Sequence, residues 1–508
     1  MRGLLALLLP AALIGAAPAR GQSVVTSAGP AAVSVTVYRA PNRGADEAID
    51  RDAPQGFALI TETRTITIPA GRATIRFEGV AGNIFPESAI VSGLPGSVRE
   101  KNLDAALLSP RSLYDRALGR RVMLRRTDKA TGKVSEEQAV IRSSATGAAI
   151  IQTGSGFEAL RCSGMPETLV YDDVPAGLSA KPSLSVETDS AQAVRVTITL
   201  SYLAGGFDWQ ADYVVRLAAD GRHADLFAWV TLASSDVTSF ANAATQVVAG
   251  KLNRELQPEF GNYGESVLSL KCWPDPDYGA RDLAFGGAPP PLPPPAPAMM
   301  MEARAMDIVV TGVAVRKAVQ EELGDLKLYR ITDRVTVASK AQKQVAMLSQ
   351  PSVPLATVYV TEISGDHADG PVLTLRGKNR KEAGLGLPLP AGQVAVFDDA
   401  GQRPILIGES STDDKAVGED VEFKLDATPT VRAELTPVAR TRLATQYRLV
   451  VTNAHPWPIA YEAKIAPDAA VISAVSSRLG KRDGKLIWAT TVPANGTATL
   501  AYSRTTPR

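Results

Sequence analysis

Apolar and polar residues alternate with a period of two along one long stretch of this chain. Val194, Val196, Ile198, Leu200 and Tyr202 are interleaved with Arg195, Thr197, Thr199 and Ser201. A strand with one buried face has this pattern, because successive side chains point to opposite sides. Gly205-Gly206 interrupt the run, after which Trp209, Ala211, Tyr213, Val215 and Leu217 share a face. Asp220-Gly221 supplies a turn, and Leu226, Ala228, Val230 and Leu232 resume the alternation. Residues 194–255 therefore predict an antiparallel meander whose apolar face carries Trp209 and Tyr213.

The same pattern recurs along the chain. Val33, Val35 and Val37 open a first strand, and residues 57–69 and 73–80 make two more across Pro69-Ala70-Gly71. Ser109-Pro110 is a helix start, with serine as cap and proline in the first turn, and Gly119 is its stop. Leu113, Ala117 and Leu118 give that helix an apolar side. Short strands at 121–126, 134–141, 148–153 and 157–162 then suggest a small barrel, SH3-like in size. Six or so strands over about eighty residues at the C-terminus suggest an immunoglobulin-like sandwich. The predicted fold is all-β: several β-sandwich modules, a small β-barrel insertion, a C-terminal immunoglobulin-like sandwich and few short helices. Its expected segments are 22–100 (N-terminal β module), 101–185 (barrel-like insertion), 186–280 and 321–426 (two halves of one β region), 281–320 (linker) and 427–508 (sandwich).

Several stretches carry a family resemblance. LAGGFDWQADYVVRL, ADLFAWVTL and VVAGKLNRE are followed by ELGDLKLYRITDRVTVASKAQKQVAML, GLGLPLPAGQVAVFDDAG and GEDVEFKL. In this order they resemble the signature of a bacterial family known as domain of unknown function 4139, some of whose members are called mucoidy-inhibitor-like. The resemblance runs from about Val194 to the C-terminus. It implies no reaction, ligand or catalytic residue, because the family has none established. Many relatives carry a long coiled coil before the signature. Here no heptad run exists, and the small barrel takes its place.

The first residues, MRGLLALLLPAALIGAAPARGQS, place Arg2 before an apolar run at 4–17, with small residues after it. This is the layout of a secretory signal peptide over 1–21, cleaved after Ala19 or Gly21. Export to the periplasm or outer membrane, or secretion, is the expectation. The run is too short, and too interrupted by Pro10, to serve as a membrane span, and no later segment is long and apolar enough. At 508 residues the chain exceeds what one core usually supports. Its net charge of +1 leaves no electrostatic footprint for nucleic acid.

Two cysteines, Cys162 and Cys272, permit one disulfide in an oxidising compartment. Neither has a second ligand at metal spacing, so no metal or cofactor is expected. The stretch RDLAFGGAPPPLPPPAPAMMMEARAM cannot build a sheet and reads as an extended linker. The hexapeptide after it, Asp307-Ile308-Val309-Val310-Thr311-Gly312, resembles a Ton box, which engages the Ton energy-transducing system by adding a strand to a partner sheet. A strand returning to the protein's own sheet fits the same residues.

His223, His367 and His455 each sit in a turn without metal or triad spacing, which predicts exposed loop histidines. Asp208 and Asp212 flank Trp209 and fall on the strand face opposite it, a carboxylate pair of the type that acts on glycans. Trp209, Tyr213 and Trp229 stack on sugar rings if exposed and pack the core if not. Three functions follow as expectations: a non-enzymatic interaction or scaffolding module of the cell envelope, a glycan-binding or glycan-active envelope protein, or an accessory factor of the Ton system. Partners would be an envelope protein or a glycan.

Overall fold

The computed structural model describes residues 23–103, 106–143, 149–163, 165–175, 178–250, 318–323, 326–398, 403–466 and 470–505. The chain is nearly all β, with one α-helix among the described residues, Pro110–Arg116. No described helix is long and apolar enough to cross a membrane.

An eight-stranded sheet is the frame. Ala32–Tyr38, Phe57–Ile68 and Val194–Gly205 lie side by side, the last two antiparallel from Val194↔Ile68 to Gly205↔Phe57. Beyond Ala32–Tyr38 come Phe240–Ala249, Leu326–Arg330 and Val319–Leu323. Two smaller sheets share its core. One contains Ser23–Ser27, Gly71–Glu78, Ser183–Ser190 and Glu100–Leu103; the other runs Ala341–Pro354, His223–Ser234, Phe207–Leu217, Gly392–Asp398, Ile405–Thr412. A single apolar cluster runs through all three, from Val33 to Leu425.

The expected meander is not what forms. Val194–Gly205 pairs with Phe57–Ile68 and Ile90–Ser92, while Phe207–Leu217 lies in the five-stranded sheet. Only Phe207–Leu217 and His223–Ser234 make a hairpin. The reason is a corner at Gly206, whose φ of 76° is open to glycine and strained for other residues. A second crossing returns the chain to the large sheet at Asp236. Its buried carboxylate accepts from the backbone N–H groups of Gly82, Asn83 and Thr238, which fastens the two layers together. Period-two alternation identified each strand, but both sides of a corner alternate alike.

The stretches on either side of 281–320 interleave in one sheet. Gly392–Asp398 runs parallel to Phe207–Leu217, and Ala341–Pro354 antiparallel to His223–Ser234. Parallel pairing cannot be made by a hairpin, so it demands this long-range return.

The insertion has its own core. Tyr114 and Ala117 of the helix region pack on Val122, Leu124, Ala139, Ile141, Ile151 and Leu160. Ser109 caps the helix through a reciprocal bond with Ser112, as its sequence predicts, although Leu118 is exposed. The sheet order is Gly156–Ala159, Ile150–Thr153, Val134–Ile141, Arg121–Thr127, Glu167–Val170. Its two edge strands do not pair among the described residues, so the five strands make an open sheet rather than a closed barrel. Arg126 ties the edges together instead, with ion pairs to Glu158 at 2.7 Å and Glu167 at 2.9 Å.

The C-terminal sandwich draws on residues before 427. One sheet holds Val431–Arg440, Ala444–Asn453, Thr497–Thr505 and Val471–Ser473. The opposite sheet joins Ile459–Ile465 and Lys485–Val492 to Ala356–Ser364, Val372–Lys378 and Asp420–Ala427, with Tyr359 and Tyr461 in parallel register. Tyr359 and Ile363 accordingly belong to the same core as Tyr461, Trp488 and Tyr502.

Candidate functional site

Four segments distant in sequence, which supply Trp209, Val248, Tyr329 and the loop before Gly392, meet at one joint. Trp209 is 1% exposed, and its indole N–H donates to the Val248 carbonyl at 3.0 Å. Its ring lies 6.3 Å from that of Tyr329, whose hydroxyl donates to the Pro388 carbonyl at 2.9 Å. Tyr213 donates to the Pro390 carbonyl at 2.6 Å, and burial pushes both tyrosines' pKa values up. Gly392 abuts Ala211 so closely that a Cβ there would sit 1.9 Å from the Ala211 carbonyl oxygen. Two aromatic hydroxyls thus satisfy carbonyls of the loop before Gly392, and the indole N–H is itself satisfied by a carbonyl of the strand Phe240–Ala249.

Asp208, one residue before Trp209, holds the loop of residues 39–55 onto this joint. Its carboxylate is almost fully buried and accepts from the Ala40 N–H at 2.9 Å and the Trp209 N–H at 2.8 Å. Arg43 Nε completes an ion pair with it at 3.0 Å, while Arg43 Nη2 donates to the Trp209 carbonyl at 2.7 Å. Further along, the Ile49 N–H donates to Gln210 Oε1 at 2.9 Å.

Above the joint lies a cleft of about 540 Å³, walled by Arg39, Asn42, Arg43, Gly250, Asp413 and Asp414. Arg39 donates to the carbonyls of Gly44 at 2.9 Å and Ala391 at 3.4 Å, and its buried Nε has no partner. Burial and then Arg43 pull the Arg39 pKa down, against Asp414, Asp208 and Asp413. Asp414 accepts from the Ala391 N–H at 2.8 Å, which fixes one carboxylate at the rim. A second cleft of about 620 Å³ shares Asp413 and adds Asp46, Glu409, Asp420, Glu422 and Asp483 against Lys415 and Lys424. The two clefts present fixed charges of both signs from loops and strand ends. Such an arrangement suits recognition of a polar or zwitterionic surface.

The structure separates the residues that the sequence offered as a glycan site. Asp208 and Trp209 are internal. Asp212 and Trp229 face each other across the hairpin on the outer face of the five-stranded sheet, both half-buried. Asp212 accepts from Gln210 Nε2 at 2.5 Å, from Thr231 Oγ1 and, at 3.4 Å, from Gln344 Nε2. The two carboxylates therefore do not converge on a shared space. Trp209 and Tyr213 pack the core, and Trp229, at the opposite parity, does not.

The expected exposed histidines split as well. His367 is exposed beside Asp369, and His223 pairs with Asp220 at 2.6 Å. His455 differs: it is half-buried, with Nε2 3.1 Å from the Tyr359 hydroxyl and 2.9 Å from Thr430 Oγ1, and it stacks on Trp457 at 4.9 Å. Trp457, 57% exposed between two prolines, was missed because an isolated turn aromatic has no periodic signal. The charged lining at Arg39, Arg43, Asp413 and Asp414 was missed for a similar reason, since it sits in loops without a motif.

Cys162 is disulfide-bonded. Cys272, the hexapeptide 307–312 and the signal-like residues 1–21 lie outside the described residues. Among the described residues no group of three or more His, Cys, Asp or Glu side chains could hold a metal ion. Comparison with protein-family models and with curated proteins returns no match.

Proposed function

We propose that the protein is a non-enzymatic interaction or scaffolding module of the bacterial cell envelope, and a relative of the mucoidy-inhibitor-like family of unknown function that lacks the coiled coil. One observation carries this reading. Four of the six stretches that resemble the family signature contribute to the joint around Trp209, and that joint supports a cleft of fixed charges. Ionisable groups at the joint are bonded to the frame, as Asp208 is to Arg43 and two backbone N–H groups, so their role there is to hold shape. The test uses the mature chain, immobilised and exposed to envelope extract. A partner retained by the native protein and lost by an Arg39→Glu variant of unchanged stability supports the reading. Turnover of an envelope glycan or peptide that the same variant abolishes would replace it with an enzymatic one.

A second reading, glycan binding, has its own support in Trp229 beside Asp212 on a half-exposed sheet face. Quenching of tryptophan fluorescence by envelope oligosaccharides, absent in Trp229→Ala, would favour it over the first.

A further inference from the structure

Ala391 is buried one residue before Gly392, and its two backbone groups each hold a charged side chain. Its N–H donates to the Asp414 carboxylate at 2.8 Å, and its carbonyl accepts from Arg39 Nη1 at 3.4 Å. The chain is pinned there by the close approach of Gly392 to Ala211. One rigid residue therefore sets the separation of a cation and an anion, both of which line the cleft of about 540 Å³.

Neither charge is closed off by an ion pair. The side chain of Arg39 bonds only to the carbonyls of Ala391 and Gly44 among the described residues. Burial and the neighbouring Arg43 oppose its charge, while Asp414, Asp208 and Asp413 favour it from beyond ion-pair distance. Its Nε is enclosed, so a ligand in the cleft meets the guanidinium at its terminal nitrogens. Arg43, the other cation of the lining, is already engaged by Asp208 and by the carbonyls of Glu47 and Trp209. Of the anions, Asp413 is exposed and its carboxylate has no bonded partner among the described residues, and Asp414 hydrogen-bonds only the Ala391 N–H. The lining thus offers one available cation beside two available carboxylates. A simple anion would meet the repulsion of Asp413 and Asp414, whereas a ligand carrying both signs satisfies both halves. The volume lies within the range of about 300–1,000 Å³ usual for ligand pockets and exceeds what one amino acid fills.

We propose that this cleft binds a short peptide with a free carboxylate and a free ammonium group, the carboxylate on Arg39 and the ammonium on Asp413 and Asp414. The proposal rests on the reading of the cleft as a recognition surface and names the class of ligand it takes. A guanidinium matches a planar carboxylate through charge-assisted hydrogen bonds. Because Ala391 fixes the spacing of the charges beforehand, little ordering is left to oppose binding.

Calorimetric titration of the mature full-length chain with tri-alanine, N-acetyl-tri-alanine and tri-alanine amide tests this, with thermal melts confirming that each variant is folded. Tri-alanine should bind, and blocking either terminus should weaken it about tenfold or more. Arg39→Gln should make the acid and the amide bind alike. Asp413→Asn, an exposed substitution, should narrow the gap between free and N-acetylated peptide and leave the preference for a carboxylate intact. Trp229→Ala should change nothing. Absence of binding at about 10 mM tri-alanine would overturn the proposal. So would an amide that binds as tightly as the acid, an acetyl effect untouched by Asp413→Asn, or inorganic phosphate binding as tightly as the peptide. An envelope partner that depends on Arg39 without tri-alanine binding removes this proposal and keeps the scaffolding reading. Peptide binding with no such partner does the reverse.

Discussion

The ion pairs Glu62–Arg64 and Arg43–Asp208 are both closed to water, yet they fasten different things. Glu62 and Arg64 stand two apart on one strand, pointing into the core, each fully buried. Tyr202 donates to Glu62 at 2.6 Å; Arg64 donates to the carbonyls of Ser27 and Glu78, both at 2.9 Å, and sits 5.6 Å from the Phe77 ring centre. This pair joins the four-stranded sheet to the large one at the centre of the molecule. Arg43–Asp208 instead joins a loop to a strand at the wall of a cleft. The first holds layers and the second holds a surface. A buried charge thus signals a joint, and only its partners show whether that joint serves the core or a site.

Breaking the core pair should have the largest effect. Glu62→Gln or Arg64→Met leaves one buried partner uncompensated and should cost about 3–5 kcal/mol in denaturant unfolding. Glu62→Leu combined with Arg64→Met should recover most of that loss, because two desolvated charges are exchanged for apolar contact. Equal loss in the double variant would mean that Ser27 and Glu78 depend on Arg64 more than Glu62 does.

Arg43→Ala should cost less, about 1–3 kcal/mol, since Asp208 keeps its two backbone donors. Its distinctive mark is local. Amide exchange at Ala40 and Ile49 should accelerate while the core strand 57–68 stays protected. Acceleration in both places would erase the contrast between the two pairs.

Tyr202→Phe removes only the hydroxyl that bonds Glu62 and accepts from the Ala81 N–H at 3.1 Å. It should cost about 1–2 kcal/mol by thermal unfolding, between the rim pair and a surface contact.

The smallest effect belongs to a half-exposed set on the C-terminal sheet. Burial pushes Glu422 up, but Arg376, Lys464 and Arg482 outweigh it and hold the carboxyl below its ordinary range. A folded-state pKa below the unfolded value favours the charged form, so the stabilisation is present above about pH 4 and fades as pH falls through the folded value. Glu422→Gln should therefore flatten the fall in melting temperature between about pH 5 and pH 2, with little change near neutrality. An unchanged acid limb would place the acid sensitivity elsewhere.

Particular residues show what could be read from the chain. The alternation at Val194–Leu200, the cap at Ser109 and the turn at Asp220-Gly221 depend on neighbours in sequence, and each forms as expected. Trp209 and Trp229 both sit in alternating runs, and only the side on which each strand packs made one a core residue and left the other half-exposed. Asp208 looked like a surface acid because its partner, Arg43, is 165 residues away. The C-terminal sandwich was legible as strands but not as an assembly, since half of one sheet arrives from before residue 427.

By itself the sequence determined where the strands lie and that they are half-buried, because a period of two and glycine- or aspartate-bearing turns are local properties of the chain. Only the tertiary structure decided which strands are neighbours, which carboxylates are internal and where the clefts open. Those outcomes hang on corners such as Gly206 and on contacts between distant residues, and alternation is identical on either side of a corner.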